Sequence, residues 1–430
     1  MNIAILIPTL AGGGAERMAQ VLGDHYVDKG YGVYYFLADV GLKADYKVKG
    51  KIIQTGIKGC MFGYPNKMQI ISRLFWNSLE MRRLKRHYKI DIAISFMEEF
   101  NYLNILSKGD EKVITCVCAI LSRCDELKGF LYDRKVVRFF YLKAEQVVVV
   151  SNYALKDMYS YYGIPRNKLL MIPNPAHNLK ESEENFLWTY GEKVVVCIGR
   201  LVPVKQHEKI IRAFAYACQD EPDAKLVILG KGPQMSYLKR MSENCGIREK
   251  VIFVGFVDNV WFYLKNARVF VMASQSEGFP NSMVEAMYYG VPVITTDSPG
   301  GCGEIVGKPK RIREINSILY CEYGVLTPDI PYKKVKSSTS LMGQEVLLGL
   351  AMQEMLSKDE LYERYHRQSL RRAESYSMNR VMEKWDSVLK IDERRKLDEK
   401  RNHFSFVNAD RRSTGRKRNR KIYGGGSKEG

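Results

Sequence analysis

The sequence predicts an α/β protein built as two parallel-sheet domains in tandem, and three observations predict it. At 430 residues the chain asks for two or three domains of about 100–200 residues each. A hydrophobic share of 46% with 27% charged residues is that of a globular protein and excludes disordered, collagen-like and coiled-coil chains. Short β-rich apolar runs also alternate with amphipathic stretches, the pattern of a sheet crossed by helices, and the pattern restarts once.

Taken in order, the first half offers strands at Ile3–Pro8, Gly32–Leu37, Asp91–Phe96, Lys112–Cys118 and Gln146–Val150. The stretch Ala15–Lys29 places Met18, Leu22 and Tyr26 on one helical face. The apolar start, Met1 to Pro8, lacks the basic residues that open a secretory signal and reads as a strand, so a cytoplasmic protein is expected. Two prolines, Pro173 and Pro175, followed by a charged stretch mark a linker. The second half repeats the theme, with strands at Lys193–Gly199, Lys225–Gly230, Val251–Val254, Ala267–Met272 and Val291–Thr295 around helices at Gln206–Cys218 and Gln234–Cys245. Residues 307–340 read as irregular, and helical patterns resume at Gln344–Leu356, Lys358–Ser375 and Asn379–Leu389. The expected organisation is a first domain over 1–175, a linker over 176–192 and a second domain over 193–375. A helix over 376–390 is expected to pack back on the first domain, ahead of a basic, disordered tail over 391–430.

The net charge of +19 is unevenly spread: residues 1–180 hold 26 Lys/Arg against 16 Asp/Glu, 181–390 hold 28 against 26, and 391–430 hold 13 against 6. An acidic partner should therefore meet the first half or the tail. The nine cysteines are scattered, with no C-x-x-C and no zinc spacing, and the six histidines form no paired arrangement. Reduced thiols and no protein-built metal site are expected. No apolar run approaches the ~20 residues of a membrane span.

Three segments carry chemistry. Gly12-Gly13-Gly14 lies between a strand and a helix, where backbone N–H groups and the helix's positive end suit an anion, although a tight turn without a ligand uses the same residues. Arg200 follows the second half's first strand and Lys205 precedes its helix, at the strand ends where α/β sheets bind ligands. That pair suits a diphosphate held without a metal, or it is two solvated charges on a loop. Most specific is Ser274 to Met287, in which Glu277 and Glu285 flank a Gly278-Phe279-Pro280 turn and Asn281 or Ser282 can cap the next helix. Acids suit hydroxyls and the turn's amides suit phosphate, whereas a capping turn with a surface glutamate is the plainer alternative.

Jointly these segments resemble the family 4 glycosyltransferases. Glu277 and Glu285 match the family's E-x7-E, Gly199, Arg200, Leu201 and Lys205 its G-R-L-x-x-x-K, and Gly12 to Gly14 its N-terminal glycine-rich loop. Val254 to Val257 and Ser298 to Val306 also stand where similar segments occur. The resemblance spans Met1 to about Leu389 and is strongest from Val194 to Val306. It implies the GT-B architecture, two Rossmann-like domains facing across a cleft, and a metal-independent hexosyltransferase that retains anomeric configuration and needs no cofactor. It further implies a nucleotide-sugar donor, UDP-linked by preference, and a glycan or polyprenyl-diphosphate-linked acceptor in cell-surface polysaccharide synthesis.

By the same resemblance Arg200 and Lys205 hold the diphosphate and stabilise the departing nucleotide, with Glu277 completing the catalytic set. Gly13 and Gly14 border the donor, Glu285 meets the ribose and backbone near Phe256 meets the base. Glu277 and the amides of Gly278, Phe279, Pro280, Asn281 and Ser282 hold the donor sugar. Some members place a histidine in the first domain where this chain reads Ala119 to Cys124; Arg123 is the candidate sugar or acceptor contact there. Glu98 and Glu99 end a strand facing the cleft and either touch acceptor or cap a helix. A nucleotide-sugar epimerase of the same architecture is the alternative enzyme. A non-enzymatic RNA or polyanion binder would fit the basic tail, but no nucleic-acid signature accompanies it. Read as a helix, residues 67–86 put Ile71, Phe75 and Leu79 on one stripe with Arg82, Arg83, Lys85 and Arg86 beyond it. This stripe either packs on the sheet or docks on an anionic membrane.

Overall fold

The computed structural model describes residues 1–38, 46–57, 66–123, 129–176, 193–257, 260–309, 314–332 and 340–389. Residues 177–192 of the expected linker, Cys124, and the tail 391–430 lie outside the described residues. The chain divides into two compact units, Met1–Val381 and Met382–Gly430, and the first holds both sheets.

The first sheet contains β1 (Asn2–Ile7), β2 (Gly32–Leu37), β3 (Lys51–Gln54), β4 (Ile92–Phe96), β5 (Lys112–Val117), β6 (Gln146–Val149) and β7 (Leu169–Met171) in the order β3-β2-β1-β4-β5-β6-β7. Every pairing in it is parallel. Continuous Val/Ile runs suit strands covered on both faces, and β4 is buried at all five positions. Its helices are α1 (Gly14–Asp28), α2 (Lys67–His87), α3 (Glu98–Leu106), α4 (Arg134–Lys143) and the short α5 (Asn152–Lys156). Met18, Leu22 and Tyr26 are buried on α1 as their spacing predicts.

The second sheet contains β8 (Val194–Ile198), β9 (Lys225–Leu229), β10 (Val251–Gly255), β11 (Val269–Met272), β12 (Val293–Thr296), β13 (Leu319–Tyr320) and β14 (Val325–Thr327), ordered β10-β9-β8-β11-β12-β14-β13. All its pairings are parallel except β13 on β14. Its helices are α6 (His207–Ala217), α7 (Met235–Asn244), α8 (Trp261–Lys265), α9 (Asn281–Tyr288), α10 (Cys302–Val306), α11 (Gly343–Ser357) and α12 (Asp359–Glu374), and α13 (Met378–Leu389) follows. These are the two α/β domains of the predicted fold class.

Two expectations change. The region 307–340, expected to be irregular, contributes β13 and β14, short strands that extend the second sheet. On α2, Ile71, Phe75 and Leu79 do not pack on the sheet; with Met68 and Trp76 they are exposed, while Leu74, Ser78, Met81, Leu84 and Lys85 form the buried face. Lys85 was expected among the surface cations, yet it is buried, 2.8 Å from Glu111 and 2.7 Å from the Asn104 side chain. The α2 N-terminus is closed by a capping box in which Asn66 accepts from the Gln69 amide at 2.9 Å and the Gln69 side chain accepts from the Asn66 amide at 3.1 Å.

The two sheets also meet directly. Glu304 on α10 accepts from the backbone N–H of Asn152 at 3.1 Å and of Tyr153 at 2.6 Å, capping α5 of the first sheet from the second.

Candidate functional site

In each sheet the strand order reverses beside the first strand, between β1 and β4 and again between β8 and β11. Such reversals leave a crevice at the carboxyl ends of the strands, where loops from both sides converge. Three of the segments singled out from sequence stand there: Gly12–Gly14 after β1, Gly199-Arg200 after β8, and Ser274–Glu277 after β11.

Lys205 and Glu277 form an ion pair, both largely shielded, although they are 72 residues apart in sequence. Lys205 ends a single 3-10 turn, Pro203–Lys205, that leads into α6. Glu277 is held by an isolated backbone bridge to Gly300, a glycine at a φ of +134° where an added Cβ would stand 1.7 Å from the Glu277 carbonyl oxygen. Arg200 is exposed and faces Glu16 on α1. Burial pushes the Glu16 carboxyl up, and the Arg200 charge opposes the shift. The glycine-rich loop therefore differs from an open anion nest: the Glu16 carboxyl folds over it, 2.3 Å from where a Gly13 Cβ would be.

Gly278 abuts the first sheet, since a Cβ on it would stand 2.1 Å from the Cys118 carbonyl oxygen. The Phe279 ring turns away into the core, edge-on to Tyr376 at 5.4 Å. Neither Asn281 nor Ser282 caps α9 as expected, because the helix starts at Asn281 itself after Pro280. The Asn281 side chain instead accepts from Asn174 at 2.8 Å and donates to the Gly14 carbonyl at 3.4 Å, while Ser282 donates to the Ile198 carbonyl at 3.4 Å. Half-buried Glu285 lines a shallow groove with Arg17, Met18, Val21, Asn174, Pro175 and Asn281. Burial raises the Glu285 carboxyl and the Arg17 charge lowers it. Phe256, after β10, is exposed beneath the Lys231 ammonium at 4.6 Å from the ring centroid. Arg123 is exposed too, and its charge acts on Asp157, which accepts from the Ser122 amide at 3.2 Å.

Arg17, Asn174 and Glu16 are site residues that sequence reasoning missed. Arg17 and Glu16 sit in the first turn after Gly14, and their spacing from the glycines was the available signal. Asn174 stands between two prolines and reads as plain linker. Together the site offers two cations, two acids and loop amides from one sheet, opposed by a glycine loop and α1 from the other. That is an arrangement for an anionic ligand bearing hydroxyls.

Comparison with known proteins gives a consistent answer. The family described as "Glycosyltransferase Family 4" matches residues 12–177 and the family described as "Glycosyl transferases group 1" matches residues 180–313. An N-acetylgalactosamine-N,N'-diacetylbacillosaminyl-diphospho-undecaprenol 4-alpha-N-acetylgalactosaminyltransferase of Campylobacter jejuni is 26% identical over 315 residues, 71% of this chain and 83% of the relative. An uncharacterised glycosyltransferase of Methanocaldococcus jannaschii is 25% identical over 339 residues, 74% of this chain and 83% of the relative. Among solved structures, the fold is shared with sucrose-phosphate synthase from Thermosynechococcus elongatus, at TM-score 0.69 and 18% identity over 90% of this chain and 98% of the other. Anabaena HepE, solved with UDP and glucose, gives 0.68 at 16% identity over 91% and 99%.

Proposed function

The chain belongs to the family 4 glycosyltransferases of GT-B fold, and from that premise we propose that it moves a hexose from a UDP-sugar to a lipid-linked glycan, retaining configuration and using no metal. The observation that carries this reading is the Lys205–Glu277 pair at the second sheet's switch point, with Arg200 on the adjoining loop. Lys205 and Arg200 bind the diphosphate and stabilise the charge that grows on it as the sugar departs; positive charge fixed in advance is the largest aid available to such a step. Glu277 accepts hydrogen bonds from the donor sugar, Glu285 from the ribose, and Phe256 borders the base. The attacking hydroxyl forms its bond to the anomeric carbon on the face the diphosphate leaves, and its proton passes to a leaving phosphate oxygen.

The acceptor class is supported by the Campylobacter relative, whose name specifies a diphospho-undecaprenol substrate. UDP is the nucleotide held by HepE. No helix among the described residues is long and apolar enough to cross a membrane. The exposed row Met68, Ile71, Phe75, Trp76 and Leu79 on α2, followed by exposed Arg82, Arg83 and Arg86, supplies apolar and cationic surface suited to an anionic bilayer.

A panel of nucleotide sugars, scored by thermal stabilisation and by nucleotide release with and without EDTA, tests the reading. UDP-sugars should stabilise the protein and EDTA should leave release intact. Arg200→Ala and Lys205→Ala should each weaken UDP binding while leaving uridine binding within twofold. Equal losses for both ligands, or EDTA inhibition reversed by magnesium, would contradict the roles given.

A further inference from the structure

Three loops meet at the carboxyl ends of β8, β9 and β10, and the middle one is fastened on both sides. After β9 the chain runs Gly230-Lys231-Gly232. The Gly230 amide donates to the Gly255 carbonyl at 2.7 Å, and the Lys231 carbonyl accepts from the Leu201 amide at 3.0 Å. The fit needs glycine on either side of the lysine. Gly230 holds a φ of +146°, and a Cβ on it would stand 1.9 Å from the Gly199 carbonyl oxygen; a Cβ on Gly232 would stand 2.4 Å from that of Leu201. Lys231 is thereby set between the loop of Arg200 and the loop of Phe256, with its own side chain exposed.

Lys205 is paired with Glu277, whereas Lys231 forms no ion pair among the described residues. Its ammonium lies over the Phe256 ring, 4.6 Å from the centroid, and that ring is 41% exposed. An exposed aromatic ring at the strand ends is a platform on which another flat ring can stack. Stacking of a base outweighs the hold of one solvated ammonium on the same face. A base that takes the ring therefore displaces the ammonium, but the fastened backbone lets it go no farther than the base's edge.

We propose that Lys231 selects the nucleobase: with uracil stacked on Phe256, the Lys231 ammonium donates to the O4 carbonyl oxygen. A lysine carries donors and no acceptor. Uracil offers an acceptor at that edge, while cytosine puts an amino group there, which sets donor against donor. The assignment rests on the transferase reading above and deepens it, giving the nucleotide preference a side chain.

The test measures dissociation constants of UDP, CDP and inorganic pyrophosphate by calorimetry for full-length wild type, Lys231→Met and Lys231→Arg, with Tm as the check on folding. Wild type should bind UDP at least about tenfold more tightly than CDP, the scale of a hydrogen bond to a charged group. Lys231→Met should lose that margin, with a UDP/CDP preference below threefold and pyrophosphate affinity within twofold of wild type. Lys231→Arg keeps charge and donors and should keep a preference above fivefold. Equal losses of UDP, CDP and pyrophosphate affinity in Lys231→Met would make the lysine a phosphate cation and overturn the proposal. An unchanged UDP/CDP preference would overturn it too, leaving Lys231 a solvated surface charge. Wild type that binds both nucleotides equally brings down this proposal alone; wild type that binds neither brings down the transferase reading with it.

Discussion

Under the proposed roles, a donor that draws the Lys205 ammonium to its diphosphate and the Glu277 carboxylate to its sugar divides the pair that these two side chains form. Glu277→Gln keeps the volume and removes the charge; transfer should fall by about 2–4 kcal/mol of transition-state stabilisation, measured as kcat/KM, with Tm little changed. Near-wild-type turnover would remove Glu277 from the site. Glu98 gives a prediction with a definite sign. Its folded carboxyl sits at about 7 against an ordinary 4.5, so the folded protein holds a proton that the unfolded chain releases, and stability falls as pH rises between those values. The penalty is complete above pH 7 and on the order of 3 kcal/mol. The Tm advantage of Glu98→Gln over wild type should therefore be near zero at pH 4.5 and largest at pH 8. A difference that ignores pH would show the carboxyl to be already compensated. Sequence made Glu277, Glu285, Arg200 and Lys205 legible because they lie in short motifs with fixed spacing. Asn281 was misread as a cap because its partners, Gly14 and Asn174, are supplied by distant parts of the chain.

Among the elements, α2 separates most sharply what a helical pattern says from what it leaves open. An apolar stripe at 3.6-residue spacing was visible, but two stripes run along this helix, and only packing chose Leu74, Met81 and Leu84 for the core. The other stripe is in solvent, with Trp76 65% and Phe75 56% exposed. Charge reversal of Arg82, Arg83 and Arg86 to Glu should abolish co-sedimentation with anionic vesicles at low salt and leave UDP binding intact, each cation contributing about 1 kcal/mol. Unchanged sedimentation would rule out α2 as the docking surface. Lys85 must be left alone in that experiment, since reversing it would put two carboxylates together in the buried site it shares with Glu111. The missed strands have equally local reasons. β3 is a mostly exposed edge of four residues, β7 and β14 have three each and β13 has two, so none offers an apolar run long enough to register.

At the scale of the whole molecule, the alternation of strands and helices was enough to foresee two sheets, while their mutual fit was not, because it depends on single close approaches. Gly278 against the Cys118 carbonyl is one. Gly278→Ala should force the two loops apart and lower transfer at least about tenfold, a cost comparable to other overpacked contacts. UDP affinity, which the proposed function assigns to Arg200 and Lys205, should change much less; parallel losses in both would show that the contact serves the second sheet alone. The carboxylate of Glu304 is another meeting point, and it bears on how the chain is made. It satisfies two amides 152 and 151 residues upstream, so while the first half leaves the ribosome the Asn152 and Tyr153 amides must bond to water. That corner of the first domain reaches its final form only after the second domain has been synthesised and has folded against it.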